Sequence, residues 1–148
     1  MTDAPLGRGQ PSVDREFTIT RVLDAPRHLV WRAWTDPEQL AKWFGPRGFS
    51  TPLDGISMDV RPGGTIEFVM VSEDGTELLN GGTYLEVVEP ERLVWRDRDI
   101  DLMVTITLRE LGDRTEMTCH VVGETGGEGA VAGWSSMFDK LAESLRAG

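Results

Sequence analysis

Few side chains in this sequence are of a type that does chemistry by itself. His28 and His120 are its two histidines and Cys119 is its single cysteine. A metal centre needs several nitrogen, sulfur or carboxylate ligands at a regular spacing, and a nucleophile needs a base within reach. Neither histidine has such a neighbour in the sequence pattern. His120 also falls on the face of its segment opposite Met117 and Cys119, which suits a solvated imidazole. Cys119 suits a small buried hydrophobe better than a nucleophile. Gly63-Gly64 and Gly126-Gly127 lack the strand–glycine–helix context of a phosphate loop. The expectation is therefore no catalytic residue, no metal site and no cofactor.

Arg21 is the polar residue that stands apart. It lies in Glu16–Leu23, EFTITRVL, on the face shared by Phe17, Ile19 and Leu23. A guanidinium on an apolar face must be paired, because an unpaired buried charge is costly. Two roles stay open. It is held in a structural ion pair or reaches water at the strand end, or it orients the carboxylate or carbonyl of a bound ligand. The second role makes Arg21 a candidate ligand-binding residue, and Arg21→Met would then weaken binding of an acidic ligand while sparing the fold.

The chain has 148 residues and a formal net charge of −10. That length suits one core and one domain. The acidity and the scatter of the 15 basic residues leave no patch for a polyanion, so neither nucleic acid nor an anionic membrane is an expected partner. No apolar run approaches the roughly 20 residues needed to cross a bilayer. The start, MTDAPLGRGQPSVDR, lacks an apolar signal region and is expected to be a flexible tail over 1–15, with a single domain over 16–148. One cysteine excludes an internal disulfide, which fits a reducing cytoplasm. The prevalence of symmetric dimers allows a homodimer.

The elements that must position these residues are legible from period and punctuation. After the first strand, Asp24-Ala25-Pro26 starts a short helix that runs to about Trp34. A second start follows, in which either Thr35 caps with Glu38 as return partner or Asp36 caps with Pro37 at the first helical position. Gly45 and Pro46 stop this second helix near Trp43. Between residues 54 and 122 the period is two. Strands centred on Met58, Phe68, Leu79–Val88, Leu93–Trp95, Leu102–Leu108 and Thr115–Val122 are joined by short turns, which predicts an antiparallel meander. Gly81-Gly82 suggests a bulge or bend. A glycine-rich loop over Gly123–Gly129 leads to a helix over Ala130–Arg146, about 25 Å long at ~1.5 Å per residue. Trp134, Phe138, Leu141 and Leu145 mark its apolar face, with Ser135, Asp139, Glu143 and Arg146 on the wet side.

Four segments in this order, ITRVLDAPRHLVWRAWTDPEQLAKWFGP, DVRPGGTIEFVM, GGTYLEVVEPERLVW and AGWSSMFDKLAESL, resemble the activator-of-heat-shock-protein-90-ATPase C-terminal-like family. That family lies in the START-like (SRPBCC) superfamily, beside the birch-pollen-allergen and polyketide-cyclase groups, and the likeness covers residues 16–147. It implies an α+β helix-grip fold: a seven-stranded antiparallel sheet curved around the long C-terminal helix, with two short helices after the first strand. The superfamily includes proteins that bind hydrophobic small molecules and proteins that catalyse cyclisations. The family's name derives from a eukaryotic co-chaperone with a separate N-terminal domain, for which 148 residues are expected to leave no room, and this counts against co-chaperone activity.

Such a fold leaves a cavity between sheet and helix, and the inward positions name its lining. Met58, Met70, Met117 and Met137 supply adaptable apolar surface. Phe68, Trp95, Ile106 and Cys119 would face them from the sheet, and Trp134, Phe138 and Leu141 from the helix. Three of the five tryptophans fall within WRAWTDPEQLAKWFGP, residues 31–46. Each buries on the order of 150–250 Å², so they glue this corner to the core, while Trp43 and Phe44 are also expected to wall the cavity. The expected function is binding of a hydrophobic or amphipathic small molecule, with no defined catalysis. A polyketide cyclase or aromatase-like enzyme is the alternative, and a chaperone-interacting domain the weaker one.

Overall fold

Alternation of apolar and polar side chains builds most of this molecule. Along Arg114–Gly123, the side chains of Thr115, Met117, Cys119 and Val121 are buried while Glu116, Thr118 and His120 between them are half-exposed. A strand turns successive side chains to opposite faces, so one face packs and the other meets water. The computed structural model describes residues 16–125 and 127–147. The tail expected over 1–15 lies outside the described residues.

The strands are β1 (Glu16–Leu23), β2 (Phe49–Ser50), β3 (Ser57–Met58), β4 (Thr65–Ser72), β5 (Glu77–Val88), β6 (Arg92–Asp97), β7 (Leu102–Leu111) and β8 (Arg114–Gly123). They form one curled antiparallel sheet in the order β1-β8-β7-β6-β5-β4-β2, with β3 also paired to β4. The meander is as expected, with one strand more than the seven anticipated. Phe49 and Ser50 pair with Ser72 and Val71, and two residues are too few for a period to be visible.

The expected irregularity in β5 has two parts. The register slips between Tyr84 and Glu86, which places the bulge at Leu85 rather than at the glycines. Gly82 marks instead a close approach of strands, since a Cβ there would lie 2.3 Å from the carbonyl oxygen of Arg96.

Helix α1 (Arg27–Thr35) starts after Pro26, which holds the N-cap position with extended φ and ψ. Of the two starts open for α2 (Pro37–Leu40), the structure uses Asp36, whose Oδ1 accepts the Glu38 N–H at 3.0 Å, with Pro37 at the first helical position. Thr35 turns back instead, its hydroxyl donating to the Trp31 carbonyl at 2.8 Å. Helix α3 (Ala130–Ala147) lies along the concave face of the sheet. It buries Met137, Phe138 and Leu141, and packs Trp134, Ala142 and Leu145 on the core. Asp139, Glu143 and Arg146 are exposed as expected, whereas Ser135 is half-buried.

Candidate functional site

The corner between α1 and β2 is held from inside by aromatic rings. Residue 37 is a proline and has no N–H for the Ala33 carbonyl four residues earlier. The indole Nε1 of Trp43 supplies that hydrogen bond, at 3.1 Å, from within the core. Trp34 lies at the centre, edge-on to Trp43 with ring centroids 4.7 Å apart, and within 5.8–6.3 Å of Trp95, Phe138 and Phe44. Phe44 continues the series to Phe68 at 4.8 Å and 76°. Edge-to-face pairs contribute about 0.5–1.5 kcal/mol each beyond their buried area. The corner is thus a rigid aromatic plug, and Phe44 is where it reaches the sheet.

The chain after Phe44 is clipped onto α3. The Gly45 N–H points at Met137 Sδ at 3.1 Å, and the Arg47 N–H donates to Ser136 Oγ at 3.2 Å. Lys140 Nζ donates to the carbonyls of Gly45 and Phe49 at 2.9 and 3.2 Å. Burial, chiefly, lowers the Lys140 pKa from its ordinary value. Thr51 Oγ1 completes the clip by donating to the Phe44 carbonyl at 2.9 Å.

Between this clip, the sheet and the first half of α3 lies an open cleft of about 280 Å³. Its floor is Phe68 and Met70 of β4, Trp95 of β6, and Leu102 and Val104 of β7. Phe44 and Pro46 close one side. On α3 it meets Ala130, Gly133, Trp134 and Met137, a face whose first half is nearly bare of side chain. A Cβ placed on Gly133 would find nothing within 4 Å. No packing neighbour therefore requires a glycine there, and the volume it leaves belongs to the cleft.

Two polar side chains share the lining, Asn80 and Asp97. Asn80 pairs with Phe68 in the ladder and donates from Nδ2 to the Leu78 carbonyl at 3.0 Å. Asp97 Oδ1 accepts the N–H groups of Asp99 at 2.7 Å and Ile100 at 3.0 Å, which orders the turn from β6 to β7.

Of the residues the sequence nominated, Phe44, Phe68, Met70, Trp95, Trp134 and Met137 come together around this cleft. Trp43, Met117, Cys119, Phe138, Ile106 and Leu141 are packed in the core away from it, and Met58 is half-buried at the sheet edge on β3. Burial pushes the Cys119 thiol well above its ordinary pKa, which leaves it a neutral apolar group. Pro46, Asn80, Asp97, Leu102, Val104, Ala130 and Gly133 were not nominated. Asn80 and Asp97 carried a signal in the alternation itself, being one period from Gly82 and from Trp95 respectively. His120 lies on the outer face, where its Nε2 is 2.6 Å from Glu16 Oε2. Among the described residues no group of His, Cys, Asp and Glu could hold a metal ion, and no helix is long and apolar enough to cross a membrane.

Arg21 is half-buried and is not among the residues lining the cleft. Its guanidinium bridges β1 to α3, with Nη1 2.9 Å from Asp139 Oδ1 and Nη2 donating to the Ser135 carbonyl at 3.0 Å. Of its two sequence-level roles, the geometry supplies the ion pair. Arg21→Met should then cost about 1 kcal/mol in urea unfolding, since the pair is partly exposed. It should leave the affinity of an acidic small molecule unchanged; a loss of such affinity would return Arg21 to the site.

The family model described as Activator of Hsp90 ATPase homolog 1-like protein matches residues 24–146. A protein from Nitrosomonas europaea with a crystal structure is 30% identical at a TM-score of 0.81, over 90% of this chain and 96% of its own. One from Chromobacterium violaceum is 33% identical at a TM-score of 0.80, over 88% and 96%. An AHSA1-like protein from Aeromonas hydrophila is 25% identical at a TM-score of 0.79, over 89% and 92%. No curated protein matches the chain.

Proposed function

The chain belongs to the Activator of Hsp90 ATPase homolog 1-like family, and from that premise we propose that it binds a hydrophobic or amphipathic small molecule in the cleft between the sheet and α3. The observation that carries the reading is the combination of aromatic walls with a glycine on the covering helix. Phe44, Phe68, Trp95 and Trp134 line the space, and Gly133 leaves room for it. A volume of about 280 Å³ lies just under the range of drug-sized ligand sites, roughly 300 to 1,000 Å³. A compact ligand suits it better than a long chain. Methionine at Met70 and Met137 adapts the wall to more than one shape.

Glycine inside a helix costs about 1 kcal/mol relative to alanine. With nothing in contact at this position, Gly133→Ala should raise stability by about 0.5–1 kcal/mol in chemical denaturation. Gly133→Leu should keep the fold and fill the cleft. Native mass spectrometry of the protein purified from its own host should show a retained small molecule that is depleted in Gly133→Leu. Equal retention by that variant would remove this cleft as the site.

A further inference from the structure

The ligand class follows from the charges around the cleft. Among the described residues that line it, none is Lys, Arg or His, and Asp97 is the one acidic side chain. The nearby cations are occupied. Arg96 pairs with Asp101 at 3.4 Å, and Arg98 with Glu67 at 3.0 Å and Asp99 at 3.4 Å. At the opposite side Arg47 pairs with Glu143 at 2.7 Å, and Lys140 is tied to two carbonyls. The turn beside the cleft, Asp97–Asp101, reads DRDID and adds further negative charge. Asp97 spends Oδ1 on two backbone N–H groups, which fixes the carboxylate and leaves Oδ2 as an acceptor. Asn80 uses one N–H on the Leu78 carbonyl and offers its oxygen, with its second N–H uncommitted by that bond. Both polar groups can accept a hydrogen bond, and Asp97 alone adds a charge, beside aromatic rings whose faces attract cations.

We propose that the cleft selects amphipathic amines, molecules with a compact apolar body and a primary or secondary ammonium group held at Asp97 and Asn80. This rests on the cleft being the ligand site. The ammonium N–H groups meet the two acceptors, the apolar body lies against Trp95, Trp134 and Phe68, and the net charge of −10 favours cations at long range. A carboxylate in the same place would face Asp97 with no cation to offset it.

The test compares 2-phenylethylamine, 2-phenylethanol and 3-phenylpropanoate at pH 7, followed by NMR at the Gly133 amide and the indole N–H groups of Trp95 and Trp134. The amine should bind about two- to fivefold tighter than the alcohol, the size of one partly exposed charge pair, and the acid weaker than both. Asp97→Asn keeps an Oδ1 acceptor for the turn and should bring the three affinities together. In the unaltered protein, rising salt should shrink the amine preference by screening. An acid that binds as tightly as the amine, or a preference that survives Asp97→Asn, overturns the charge selection and leaves the pocket standing. If none of the three probes moves those resonances, the proposal and the pocket reading fail together.

Discussion

Trp43→Ala should remove about 5 kcal/mol of folding stability, measured by urea denaturation. Trp43 is fully buried, and truncating a core aromatic ring costs about 3–5 kcal/mol through lost transfer energy and the cavity left behind. A second term comes from local sequence. Pro37 has no N–H to give the Ala33 carbonyl, so losing the indole donor strands a buried acceptor, at about 1–3 kcal/mol. Single domains are stable by only about 5–15 kcal/mol, so this variant should be largely unfolded or close to it. Trp43→Phe separates the terms, since it keeps a ring against Trp34 and Phe44 and loses the donor. A cost of about 1–3 kcal/mol is expected there. If Trp43→Phe is neutral, the Ala33 carbonyl has found another donor and the second term is absent.

Gly82→Ala should be nearly as damaging, at about 3 kcal/mol, which lowers the thermal midpoint by about 10 °C. The added carbon would meet the Arg96 carbonyl oxygen at 2.3 Å and the Asp97 Cα at 3.3 Å. Both belong to the backbone of the neighbouring strand, which cannot rotate aside as a side chain would. Relief requires β5 and β6 to separate, so amide exchange should quicken along Arg92–Asp97 before it does in β7 and β8. An unchanged midpoint would mean the two strands can move apart at no cost. The same substitution at Gly133 is expected to stabilise. The two outcomes differ in sign because one glycine is pressed against backbone and the other faces open space.

Much of the architecture was legible because alternation and punctuation are local. Period two marked the strands from Thr65 to Gly123, and the fourfold and threefold spacing of Trp134, Phe138 and Leu141 marked the apolar face of α3. Asp36-Pro37 was legible as a helix start, although Thr35-Glu38 competed with it until the Asp36 Oδ1–Glu38 hydrogen bond was seen. Gly81-Gly82 suggests a bulge or a bend because glycine signals irregular backbone, and the register slip lies at Leu85.

The candidate site was only half legible. Parity along a strand states which face a residue occupies, and by that rule Phe68, Met70, Trp95, Met117, Ile106 and Cys119 were equivalent. What separates them is how far α3 and the Phe44 corner extend over the sheet. Where α1, Phe138 and Leu141 close over the interior, Ile106, Met117 and Cys119 are buried in one core cluster with them. Beneath Ala130 and Gly133 α3 has almost no side chain to press, and Phe68, Met70 and Trp95 face space. Arg21 shows the same limit. Its inward direction was written in EFTITRVL, but its partners Ser135 and Asp139 lie 114 and 118 positions along the chain and meet it only when α3 docks.

Sequence alone determined the order of the elements other than β2 and the inward faces of the longer strands and α3, because each depends on neighbours a few residues apart, and the order of four such segments carried the family resemblance. Tertiary structure alone decided where the interior stays open, and that the polar side chains lining it are Asn80 and Asp97 rather than Arg21. Whether an inward side chain packs or lines a space depends on what the opposite layer places against it, and that layer comes from a distant part of the chain.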